Sequence, residues 1–95
     1  MFGRITKFQS DPARLDEMVA KIPHIRAATS AIEGSVANWA MWNEDGSGVA
    51  IAVYESEAAA DAATAQIQAI WGGLADYLTA PPEVTNYAHA EKTRN

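Results

Sequence analysis

The order strand, helix, strand, strand, helix, strand predicts a ferredoxin-like α+β fold, a four-stranded antiparallel sheet with both helices on one face. Three features of the sequence carry that expectation. Residues 32–55, IEGSVANWAMWNEDGSGVAIAVYE, read as two strand-like runs joined across Asp45-Gly46. Segments with apolar residues at helical spacing lie on either side of this hairpin, and a short alternating run stands near each end of the chain. Right-handed crossovers then put the first and third strands in the middle of the sheet. All of residues 1–95 belong to one such domain in this reading, since a chain of this length supports a single hydrophobic core.

Taken in order, Phe2–Gln9 alternates loosely, with Phe2, Arg4, Thr6 and Phe8 on one side and Gly3, Ile5 and Lys7 on the other, which suits a first strand. Asp11-Pro12 announces a helix, because the aspartate caps free N–H groups and proline at the first helical position needs no donor. Leu15, Met18, Val19 and Ile22 form its buried stripe. Pro23 should end or kink this helix, leaving a second short helical piece over 24–31.

In the hairpin, a two-residue type I′ turn on Asp45 and Gly46 sets Trp42 opposite Val49, Ala40 opposite Ile51 and Asn38 opposite Val53. The other face then carries Ala37, Trp39 and Met41 against Ala50, Ala52 and Tyr54. Both faces are apolar, so each needs a cover. Helices cover one, and a second copy of the chain, packed sheet against sheet about a two-fold axis, is the expected cover of the other.

Ser56 caps the next helix, and Ala59, Ala63, Ile67, Ile70, Trp71, Leu74 and Leu78 form its inward stripe. Alanine in the first half lets the helix approach the sheet closely or leaves room for a ligand. Gly72-Gly73 predicts a kink or break, and Pro81-Pro82 ends the helix before a last strand over 83–89.

Composition excludes several function classes. A net charge of −5, with only seven scattered basic residues, argues against a nucleic-acid footprint. Without cysteine there are no disulfides, thiolate metal sites or cysteine nucleophiles. Arg4 and Lys7 stand where a signal peptide would need its apolar stretch, and no run reaches membrane-span length, so a soluble, cytoplasmic protein is expected.

The glycine-led strand GSVANWAMW, the turn DGSG and the helix opening after YESEAA resemble the dimeric α+β barrel proteins, specifically the antibiotic-biosynthesis-monooxygenase-like group. The resemblance spans nearly the whole chain. It implies a homodimer with a small hydrophobic pocket between sheet and helices in each subunit. It also implies a cofactor-independent monooxygenase acting on a small aromatic compound, with an asparagine and a tryptophan near the substrate. Asn38 and Trp42, which share one strand face, fill those places, and Arg26 and Tyr77 stand in for the further polar partners. A buried phenol or anthrone anion would meet oxygen directly while the asparagine amide steadies the developing oxyanion. The haem-degrading pattern is not met, since the first strand lacks asparagine and the helical stretch 57–78 lacks histidine.

A second reading stands beside the enzymatic one: a non-catalytic ligand-binding or stress-related dimer in which Trp42 and Trp71 are structural and Asn38 satisfies neighbouring backbone. His24 has the chemistry of a general base, or is a surface histidine at a helix end. Trp71 beside Gly72-Gly73 either closes a pocket or anchors its helix. The pocket-lining set expected from sequence is therefore Asn38, Trp42, Trp71 and His24, with no metal and no cofactor. Asn43, Glu44 and Asp45 lack calcium-loop spacing, and Gly46-Ser47-Gly48 precedes no helix, so neither marks an ion or phosphate site.

Overall fold

A computed structural model describes the whole chain from Met1 to Asn95. Its elements are β1 (Phe2–Gln9), a 3-10 turn (Pro12–Arg14), α1 (Leu15–Val19), α2 (Ile22–Ser30), β2 (Ser35–Trp42), β3 (Ser47–Tyr54), α3 (Glu57–Ala62), α4 (Thr64–Gly72), a second 3-10 turn (Ala75–Tyr77) and β4 (Glu83–Tyr87). The strands form one antiparallel sheet in the order β2-β3-β1-β4, with β1 and β3 central. This is the ferredoxin-like arrangement that the element order predicts.

The hairpin departs from expectation by one residue. Trp42 pairs with Gly48, Ala40 with Ala50 and Asn38 with Ala52. A type I′ turn needs positive φ at both central residues, yet Asp45 has none and only Gly46, at φ 88°, enters the left-handed region. The chain instead closes a three-residue loop, with Asn43 N–H donating to Ser47 O at 2.8 Å and Gly46 N–H donating to Asn43 O at 3.0 Å. Asp45 Oδ1 accepts from Ser47 N–H at 2.9 Å and from its hydroxyl at 2.6 Å, which holds the loop in this form. Gly46 is also required by its surroundings, since a Cβ there would lie 2.1 Å from the carbonyl oxygen of Ser10.

A slip of one residue turns every side chain of one strand to the other face relative to its partner. Asn38, Ala40 and Trp42 therefore share a face with Gly48, Ala50, Ala52 and Tyr54, and through β1 with Phe2, Arg4, Thr6 and Phe8. Trp39 and Met41 share the opposite face with Val49, Ile51 and Val53. The helices cover the first face. Phe2, Ile32, Tyr54, Ala60 and Ala63 form the closed part of the core there.

Pro23 stands in the first turn of α2, after a break from α1, as its missing N–H dictates. The inward helix is broken twice, at Ala63 and at its end on Gly72. Only the second break follows from the glycines. At the first, Ala63 N–H is shared between the carbonyls of Ala59 and Ala60, both at 3.2 Å. The alanine half of this helix closes onto the sheet: Ala60 and Ala63 are buried, and a Cβ on Gly34 would come within 2.7 Å of Ala59 Cβ.

The opposite sheet face has no cover within the chain. Trp39 is 68% exposed, Met41 51% and Tyr87 50%. The chain presents 6414 Å² to solvent, roughly 1,100 Å² more than the ~5,300 Å² of a compact monomer of its 10.2 kDa. No helix is long and apolar enough to cross a membrane.

Candidate functional site

Between the covered face and the second half of the helical layer lies a cavity of about 480 Å³, within the ordinary range for a small-molecule site. It exists because the floor is small-sided. Ala40, Ala50 and Ala52 supply only methyl groups beneath Met18, Ile22, Ile25, Ile67 and Ile70, and these side chains do not reach down to fill the gap. Gly48 carries no side chain at all, and a Cβ there would collide with Phe8 Cζ at 2.3 Å. The Phe8 ring instead lies across that position and meets Trp71, with ring centroids 6.0 Å apart and planes tilted by 56°. Trp71 and Trp42 both line the cavity.

Sixteen of the twenty-one lining residues are hydrophobic, so the polar ones stand out. Asn38 is held by a bulge in β2. In a regular strand Ser35 and Asn38 would face opposite ways, but the register shift between Ser35 and Ala37 brings them to one side. Asn38 Nδ2 donates to Ser35 Oγ at 2.7 Å, which leaves its second N–H and its carbonyl oxygen free. Arg4 comes from β1 and donates through Nε to Asn86 Oδ1 of β4 at 2.8 Å. Its guanidinium lies 5.8 Å from the ring centroids of both Phe2 and Tyr54.

Tyr54 is 1% exposed, and its hydroxyl is the one buried side-chain polar atom without a hydrogen-bond partner. Burial pushes its phenol pKa above the ordinary value, and the Arg4 charge pulls the other way with less effect. Arg26 and Thr29 line the cavity from α2, and Thr6 from β1.

The sequence-expected residues thus divide. Asn38, Trp42 and Trp71 come together around the cavity, as does Arg26. His24 sits exposed on α2 and does not line it. Tyr77 is also elsewhere, packed 4.5 Å beneath the guanidinium of Arg14. Arg4, Tyr54 and Ser35 escape sequence reasoning, because nothing local links the first strand to the end of the third, and bulges carry no fixed signature. No three His, Cys, Asp or Glu side chains gather as a metal set. A second groove of about 590 Å³ lies by the hairpin end, among Lys7, Met41, Asn43, Val49 and Glu83, but it is open and mixed in character.

No protein-family profile and no curated protein matches the sequence. Solved structures do match in fold. A conserved protein from Methanosarcina mazei Go1 aligns at TM-score 0.81 and 15% identity, over 94% of this chain and 92% of the other. An antibiotic biosynthesis monooxygenase aligns at TM-score 0.78 and 16% identity, over 96% and 100%. An asparagine-to-alanine mutant of SnoaB, a cofactor-independent oxygenase from Streptomyces nogalater, aligns at TM-score 0.76 and 21% identity, over 99% and 97%. The chain therefore has the fold of the antibiotic-biosynthesis-monooxygenase-like proteins, in agreement with the resemblance carried by its hairpin and element order.

Proposed function

We propose that this chain is a cofactor-independent oxygenase of a small planar aromatic compound, working as a homodimer joined through the bare sheet face. The observation that carries the reading is the apolar cavity bordered by Asn38 and Trp42. A flat phenol or anthrone fits between an alanine floor and an isoleucine roof, with Trp42 and Trp71 as stacking walls. No histidine, aspartate or glutamate lines this cavity, so the substrate's own acidity must supply the carbanion or phenolate that meets oxygen. The chemistry balances without a further reductant. An anthrone methylene gives up two hydrogens, one atom of O2 becomes the quinone carbonyl, and the other leaves as water. Asn38, oriented by Ser35, donates its free N–H to the oxyanion as charge develops.

Support for the dimer is physical. Trp39, Met41 and Tyr87 form an exposed apolar patch over Val49, Ile51 and Val53. The excess surface of roughly 1,100 Å² is of the order of the ~800 Å² that each partner buries in a standard interface. The fold is shared with SnoaB, a cofactor-independent oxygenase.

The test is oxygen uptake with a hydroxylated anthrone. One O2 consumed per anthrone is expected, well above spontaneous autoxidation, with Asn38→Ala slowing turnover by about a hundredfold. If wild type and variant both match autoxidation, the oxygenase reading falls, and a ligand-binding dimer with structural tryptophans takes its place.

A further inference from the structure

Resting on the cavity reading above, we propose that the site is selective for an anionic aromatic ligand, one carrying a carboxylate or a comparably acidic oxygen, and that Arg4 and Arg26 read that charge. The charge distribution is the starting point. The chain carries twelve acidic and seven basic residues, yet the only charged residues lining the cavity are two arginines. Neither is neutralised: the one ion pair in the chain joins Arg14 to Glu17 on the surface. Arg26 makes no side-chain hydrogen bond, and Arg4 uses only Nε, toward an uncharged amide. Two uncompensated cations beside an apolar cavity, in a protein of net charge −5, favour an anion inside it over the same skeleton uncharged.

The two cations come from different layers, Arg4 from the sheet and Arg26 from α2, so both layers bring positive charge to the cavity lining. Arg4 is fixed by Asn86 and by the faces of Phe2 and Tyr54, and its terminal N–H groups stay free for a forked contact with a carboxylate. The site then divides into an apolar slot that accepts any flat ring and two arginines that select among them.

The test compares 2-naphthoate with the uncharged 2-naphthamide by titration calorimetry. Naphthoate should bind about tenfold or more tighter, with the preference shrinking as salt rises. Arg4→Gln and Arg26→Gln should each reduce the preference by about fivefold or more while leaving naphthamide affinity unchanged. Arg14→Gln, a surface cation away from the cavity, should change neither. Equal affinity of acid and amide would overturn the charge selectivity and leave the apolar cavity reading intact. If neither compound binds, the cavity reading fails and this inference with it.

Discussion

The two faces of the sheet are built from the same strands and have opposite fates. The middle of the covered face is made of Thr6, Ala40, Ala50 and Ala52, small residues that leave a cavity under bulky helices, with Phe8, Trp42 and Tyr54 standing around them. The bare face carries Trp39, Met41, Val49, Ile51 and Val53, bulky residues with nothing above them. Across the middle of the sheet, volume has been placed on the side that the chain leaves bare and withheld on the side that it covers. A face of large apolar groups gains from meeting a copy of itself, whereas a floor of alanines gains nothing from closer packing and stays available to a ligand.

Charging the bare face gives the largest expected effect. Trp39→Glu should weaken the proposed dimer by about a hundredfold or more, read as a monomer in sedimentation at micromolar concentration. A wild-type monomer under the same conditions would remove the reason for the large side chains. Filling the covered face should do the reverse: Ala50→Leu should lower naphthoate affinity by about tenfold or more and leave the oligomeric state unchanged. A leucine tolerated with full affinity would place the ligand elsewhere.

Smaller effects test the packing itself. Gly48→Ala would drive a methyl into Phe8 Cζ and the Met41 carbonyl oxygen, at 2.3 and 2.6 Å, and should cost about 1–3 kcal/mol in denaturant unfolding. Tyr54→Phe should raise stability by about 1 kcal/mol, since it removes an unpartnered buried hydroxyl. Its pH dependence has a definite sign. With the folded pKa above the unfolded value, wild-type stability is complete below about pH 10 and falls as pH rises toward the folded pKa, because only the unfolded phenol ionises in that window. The alkaline loss should be shallower in Tyr54→Phe, and identical alkaline profiles would show that this phenol is not the group responsible.

How much could be read beforehand differs residue by residue. Asn38 and Trp42 are legible as neighbours because four residues along one strand share a face, whatever the register. Trp71 is legible from its place in a helical stripe. His24 is not placed by its chemistry: in the first turn of α2 beside Pro23, it faces solvent rather than the sheet. Arg26, two residues further along the same helix, lines the cavity. Arg4 and Tyr54 lie fifty residues apart in sequence and meet only through the β1–β3 pairing.

By itself the sequence determined the order of elements, the central places of β1 and β3, the caps at Asp11 and Ser56 and the helix end at Gly72, while the break expected at Pro23 falls just before it, at Ala20 and Lys21. These follow from local propensity and period, which act over a few residues. Which side of β3 faces the helices was decided only in the folded chain. Asp45 and Gly46 are compatible with a two-residue or a three-residue turn, and the choice is made by the hydrogen bonds that Ser47 donates to the Asp45 carboxylate and by the docking of Gly46 on Ser10, whose backbone N–H and hydroxyl donate to Gly46 O at 2.8 and 2.7 Å. With one residue of register, the alanines of β3 became a cavity floor and its valines became the bare face.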